Sequence, residues 1–173
     1  MNFNISEAME ILERTPQSLK YLLSGLSEEW LETNEGEGTW TVIEVIDHLI
    51  EAEKTNWIPR IEMILNEDSD SVFPPFDRFS HLKDHLESTL EQKFMKFKAL
   101  RKRNLQVLKE LIDQEINFEH RAIHPALGVV TLRELLSTWV VHDLTHTSQI
   151  VRVMAMRYSD DVGPWKEYLR ILK

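Results

Sequence analysis

The chain has 173 residues and a formal net charge of −9, with 42% hydrophobic and 28% charged residues. That balance excludes a disordered chain, and it argues against nucleic acid and anionic membrane as partners, because both are held through excess Lys and Arg. There is no cysteine, which excludes disulfides, thiolate metal ligands and a cysteine nucleophile; a metal would need N and O donors, and thiol chemistry would need a cosubstrate.

The length predicts a single domain spanning residues 1–173. The N-terminal stretch has neither the basic nor the apolar region of a signal peptide, and no segment approaches the ~20 apolar residues of a membrane span. A cytoplasmic protein is expected. Five glycines and six prolines punctuate the chain, so long uninterrupted elements are expected.

The first helix is predicted over about residues 6–24. Ala8, Ile11, Leu12, Leu19, Leu22 and Leu23 form its apolar stripe, Pro16 is an interior irregularity, and Gly25 is the stop. Residues 26–39 are polar and carry Gly36 and Gly38, which reads as a loop. The second helix opens on a capping box, Thr41 with Glu44, stapled by Trp40 and Val45. It runs to about Leu65, with Pro59 a predicted bend. Residues 66–79 carry acids and then Pro74 and Pro75, and read as a long crossover.

A third helical region is predicted over about residues 80–112, broken at most once. Its core residues are Leu82, Leu86, Leu90, Phe94, Phe97, Leu105, Leu108 and Leu111. Lys93, Lys96, Lys98, Arg101, Lys102 and Arg103 concentrate positive charge there, and the ordinary reading is a solvated face. The loop that follows ends in His-Pro-Ala-Leu-Gly-Val-Val, with turns set by Pro125 and Gly128. A second capping box, Thr131 with Glu134, opens the fourth helix, which runs to about Tyr158. A short amphipathic piece, Trp165 to Leu172, closes the chain. No strand-like alternation is found, so the expectation is all-α: a four-helix bundle with crossed, non-sequential connections.

Seven histidines are distributed over this framework. His142 and His146 are four residues apart, so both imidazoles leave one helix face. That face also carries Leu135, Trp139, Ile150 and Val153. Imidazoles on a core-facing stripe need partners, since an unsatisfied buried polar group costs about 1–3 kcal/mol. A divalent ion would satisfy both if a third ligand came from a facing helix, and His48 shares a face with Val45 and Ala52. Three imidazoles with open positions fit catalytic Zn²⁺, and equally Ni²⁺ or Fe²⁺. Asp47, Glu51, Asp143 and Gln149 are near enough in sequence to accept the remaining imidazole N–H groups. His81 and His85 repeat the four-residue spacing, but on the polar side of their helix, where a solvated pair is expected; His120 and His124 are expected in turn packing, or rimming a pocket.

The segments Asp-His-Leu-Ile-Glu-Ala-Glu (47–53), His-Pro-Ala-Leu-Gly-Val-Val-Thr-Leu (124–132) and His-Asp-Leu-Thr-His-Thr-Ser-Gln-Ile (142–150) together resemble the DinB-like (YfiT-like) superfamily. The resemblance implies a crossed four-helix bundle, often a homodimer, with a divalent metal on one histidine of the second helix and two of the fourth: His48, His142 and His146. It implies a metal-dependent enzyme acting on a small molecule, since members of that superfamily include thiol-dependent S-transferases, a maleylpyruvate isomerase and metal-dependent hydrolases. The leading expectation is S-transfer from a low-molecular-weight thiol to a small electrophile. The alternatives are hydrolysis, with Glu51 or Asp143 as base, and a non-catalytic metal- or ligand-binding bundle.

Overall fold

Three helices start where a side chain and a backbone N–H exchange hydrogen bonds across the first turn. Thr41 accepts from Glu44 N–H at 3.2 Å while Glu44 accepts from Thr41 N–H at 2.7 Å. Thr131 and Glu134 repeat the exchange at 3.2 and 2.8 Å. Thr89 and Gln92 form a third such box, at 3.3 and 2.9 Å, that starts the third bundle helix within the region predicted as helical from about residue 80. The structure, a computed structural model, describes residues 3–65, 71–82, 88–112 and 116–173. Leu86 and His85, assigned above to a helix, lie outside these residues.

The helices are α1 (Ile5–Leu23), a short α2 (Glu28–Leu31), α3 (Val42–Thr55), α4 (Trp57–Leu65), α5 (Leu90–Leu111) and α6 (Leu132–Met156). The second predicted helix is therefore two. Pro59 has no N–H to give the Thr55 carbonyl, and its ring crowds that carbonyl, so the ladder breaks at Asn56. Pro16 instead stays inside α1. Its missing N–H would have bonded the Leu12 carbonyl, and Arg101 Nη1 donates there from α5 at 2.5 Å. The loop expected over residues 26–39 contains α2, whose Leu31 is buried.

Pairings give the topology. α5 runs parallel to α3, because Asp47 meets Lys93 and Glu53 meets Arg101 and Asn104. α1 runs antiparallel to α5, because Lys20 meets Glu91 and Leu12 meets Arg101. α6 runs antiparallel to α3, with Glu53 against Trp139 and His48 against His142. The sense is thus up, down, down, up. α1 and α3 each pack on α5 and α6, so α1 and α3 lie across a diagonal. The chain changes corners non-sequentially, and the parallel α3–α5 pair requires the long return that the sequence suggested.

The expectation of no strand is corrected by a small hairpin. β1 (Arg121–His124) and β2 (Gly128–Thr131) are antiparallel, with Arg121 opposite Thr131 and His124 opposite Gly128. His124 Nδ1 accepts from Ala126 and Leu127 N–H, both at 3.2 Å, and Gly128 takes φ +77° to close the turn. Four-residue strands are too short to show an alternation. This one is held by Phe73 N–H and Ile123 N–H, which exchange bonds with Ile123 and Ser71 carbonyls at 2.9 Å. The tail forms 3₁₀ turns at Gly163–Glu167 and Arg170–Leu172; Leu172 is buried, whereas Trp165 and Tyr168 are exposed. No helix among the described residues is long and apolar enough to cross a membrane.

Between two apolar clusters, one around Trp57, Ile61, Leu108 and Trp139 and one around Leu19, Ile46, Phe97 and Ile150, lies a polar layer. Arg101 donates to Asp143 at 2.7 and 3.0 Å and to Glu53 at 2.8 Å. Asn104 and the Trp139 indole complete Glu53 at 2.9 Å each. Burial would lower the Arg101 pKa, but the Asp143 and Glu53 carboxylates hold it above its ordinary value. Arg101→Ala should cost roughly 3–5 kcal/mol, because it leaves two carboxylates buried and uncompensated; urea unfolding measures this, and a loss below about 1 kcal/mol would refute it.

Candidate metal centre

Two of the helix starts set the phase of the ligands. His48 is two turns into α3 and His142 three turns into α6, and the two helices pack antiparallel. Their Nε2 atoms meet at 3.1 Å. His146, one turn beyond His142, places its ring 4.4 Å from His142 and 4.7 Å from His48, centroid to centroid. One nitrogen from each ring lies within 4.8 Å of the other two. A tetrahedral ion with N ligands at ~2.0–2.1 Å needs such convergence. The donors fit: three imidazoles, no competing thiolate, and two nitrogens already facing one another. All three histidines expected from the sequence are brought together.

The surroundings keep these rings neutral. Burial pushes the His142 pKa down to about 2, helped by the neighbouring His146 and His48. Burial likewise pushes His48 down to about 3, helped by His146 and His81. His146 is lowered by burial too, against the opposing pull of Gln149 and Asp143. Neutral imidazole is the form that binds a metal.

Of the four expected N–H acceptors, Gln149 holds its place. Its Oε1 lies 2.8 Å from His146 Nδ1, which leaves Nε2 for the centre. The other three are engaged elsewhere: Asp143 is fully buried on Arg101, Asp47 takes Lys93 at 2.6 and 2.7 Å, and Glu51 takes Lys54 at 2.7 Å. Asp143 is thus a structural anchor, and neither it nor Glu51 lines the cleft in front of the histidines.

That cleft has a volume of about 580 Å³. Trp40, Phe76 and Phe79 form its apolar wall, and Arg78 and Arg152 stand at its polar side. Arg152 is paired with Glu35 at 2.5 and 2.8 Å. Trp40, read from sequence as a staple, also packs 4.8 Å from His48 and 4.7 Å from His81. His81 departs from its predicted solvated place. It is 8% exposed, its ring is 5.2 Å from His48, and among the described residues neither ring nitrogen has a hydrogen-bond partner of ordinary geometry. The signal for this wall was the Pro-Pro-Phe-Asp-Arg-Phe run, two aromatics and an arginine in a link too apolar for a plain loop.

Among known families, the chain matches the DinB superfamily over residues 11–150. The chain belongs to the DinB superfamily. Within it, the chain is 26% identical over 147 residues to YfiT of Bacillus subtilis, covering 84% of this chain and 81% of that one. It is 28% identical to a protein of Oceanobacillus iheyensis, covering 86% and 85%. Both relatives carry the name "Putative metal-dependent hydrolase". The solved structure of Bacillus subtilis YfiT, described as having "an unusual four-helix bundle topology", superposes with a TM-score of 0.72 at 24% identity, over 88% of this chain and 86% of that one. The DinB-superfamily fold is therefore shared, including the crossed order derived above.

The lowered histidine pKa values carry a pH dependence. Unfolded imidazoles take up protons below their ordinary 6.5, while His48 and His142 in the folded chain do so only near 3 and 2. The unfolded state then binds more protons, so stability is full above pH 6.5 and falls as pH drops below it, by up to roughly 1.4 kcal/mol per pH unit per imidazole. Metal-free protein should lose urea resistance between pH 7 and pH 5, and His142→Asn should lose less over that window; equal slopes would contradict the assignment.

Proposed function

We propose that this member of the DinB superfamily is a metal-dependent enzyme acting on small molecules, with His48, His142 and His146 holding a divalent ion. The observation that carries this reading is the convergence of three imidazoles in the lining of one cleft. The three histidines come from two facing helices, the arrangement on which bundle metal sites are built, and this supports the reading. The names of the relatives point the same way. Zn²⁺, Ni²⁺ and Fe²⁺ all suit an imidazole set.

A divalent ion at this place would supply Lewis acidity and lower the pKa of a coordinated thiol or water. The side chains do the rest. Gln149 orients His146. Trp40, Phe76 and Phe79 exclude water and seat an apolar part of the substrate, while Arg78 attracts anionic groups.

The finer reading is S-transfer from a low-molecular-weight thiol to a small electrophile. What favours it is the lack of an available carboxylate base in the cleft. Among the described lining residues the acid is Glu35, and Arg152 occupies it. S-transfer would ask no such base of the cleft: the thiol proton would pass to solvent, a carbon–sulfur bond would form, and the electrophile's leaving group would depart. The second reading, hydrolysis of an ester or amide, is favoured by the names of the relatives. We further propose a cytoplasmic homodimer, with the exposed Trp165 and Tyr168 as apolar surface available to a second copy.

Untagged protein should carry near-stoichiometric metal, and the double variant His142→Ala, His146→Ala should carry almost none while remaining helical. Metal-free wild type whose melting temperature ignores Zn²⁺, Ni²⁺ and Fe²⁺ would end this proposal. With metal loaded, thiol-dependent consumption of an aryl chloride supports S-transfer; turnover of esters or amides without thiol supports hydrolysis instead. Gln149→Leu should weaken metal affinity roughly 10- to 100-fold by releasing the His146 ring, measured by competition with a chelator; unchanged affinity would remove Gln149 from the site.

A further inference from the structure

The positive run on α5 is only partly a solvated face. Lys93 is committed to Asp47 and Arg101 is buried. Lys98, Lys102 and Lys109 instead line a cleft of about 390 Å³ between α1 and α5. Their spacing of four and seven residues puts them on one helix face. The histidine centre lies between α3 and α6, on the opposite edge of the bundle, so this cleft is separate from it.

Its composition is that of a ligand site. Met9, Pro16 and Leu105 contribute apolar surface. The volume falls within the range of ordinary small-molecule pockets, roughly 300–1,000 Å³. Among the described lining residues Glu13 is the one acid, against three lysines. Among the described residues none of these lysines is paired with a carboxylate, and Lys98 reaches only the Gln17 amide at 3.5 Å. Lys98 and Lys102, four apart, repel one another, a cost that an anion would relieve. Such a local excess of cations is notable in a chain of net charge −9.

A second observation comes from the lining residue Arg101, which is 2% exposed. Its Nη1 and Nη2 are spent on Leu12, Asp143 and Glu53, and its buried Nε has no partner among the described residues. Because Asp143 and Glu53 neutralise that guanidinium, the net positive charge of the cleft comes from the lysines.

We propose that the α1–α5 cleft is a second small-molecule site, one that takes an amphipathic anion. Its chain would lie on Met9, Pro16 and Leu105, and its carboxylate or phosphate head would be held by Lys98 and Lys102.

The test uses the full chain, free of metal, titrated calorimetrically with octanoate, octyl phosphate and octanol. Saturable one-to-one binding of either anion is expected, at least tenfold weaker for octanol and at least tenfold weaker in Lys98→Ala, Lys102→Ala. Both substitutions are at the edge of the cleft and should leave the melting temperature unchanged. The His142→Ala variant should bind as wild type does, which separates this site from the histidine centre. A preference for one head group identifies the anion's class and supports the proposal either way. It is overturned if neither anion binds saturably, if octanol binds as tightly, if the lysine variant binds like wild type, or if His142→Ala abolishes binding.

Discussion

Arg101 and the two carboxylates it faces are the constraint around which the bundle is arranged. A guanidinium that is 2% exposed must be compensated, and the compensation comes from three helices at once. The Leu12 carbonyl of α1, Glu53 of α3 and Asp143 of α6 all receive it on α5. Each of those contacts specifies a register between helices that apolar packing alone would leave degenerate, because Leu and Ile surfaces slide past one another at small cost. Pro16 belongs to the same arrangement: it removes a helical N–H from α1 and so frees the carbonyl that Arg101 takes. A buried ionic layer of this kind is weak evidence for net stability; what it shows here is that α5 meets α1, α3 and α6 at one set of residues.

The histidine centre inherits that alignment. Glu53 is just over one turn beyond His48, and Asp143 follows His142 directly, so the bridge through Arg101 positions both histidine-bearing helices beside the histidines themselves. Asp143 therefore serves the centre by holding α6 and has no carboxylate oxygen left for the cleft. Three rings brought this close are kept neutral by burial and by one another. Neutral imidazole is the form that can bind a metal. The hairpin contributes from the other end, since Thr131 is both the last residue of β2 and the N-cap of α6.

Much of this could be read along the chain. Two capping boxes located the starts of α3 and α6, and the four-residue spacing put His142 and His146 on one face, because both depend only on neighbours within a turn or two. The third ligand, His48, needed the fold family as well as its apolar face. The readings that failed share a cause. The hairpin is held by a segment some fifty residues earlier, so no local alternation announced it. His81 looked polar among Ser88, Thr89 and Gln92, yet it is buried because Trp40 and His48 arrive from elsewhere in the chain. The late start of α5 was legible in Thr89 and Gln92, which pair as Thr41 and Glu44 do.

By itself, then, the sequence determined the helical class, the starts of α3 and α6, and the facing pair on α6, all consequences of short-range hydrogen bonding and of a 3.6-residue period. Only the tertiary structure decided which carboxylates are free. Asp47, Glu51 and Asp143 are equally near the ligands in sequence, but Lys93, Lys54 and Arg101 claim them in space. Whether a charged side chain becomes a catalyst, a ligand or an anchor depends on which opposite charge reaches it first across the bundle, and that is a property of helix pairing, to which local sequence is blind.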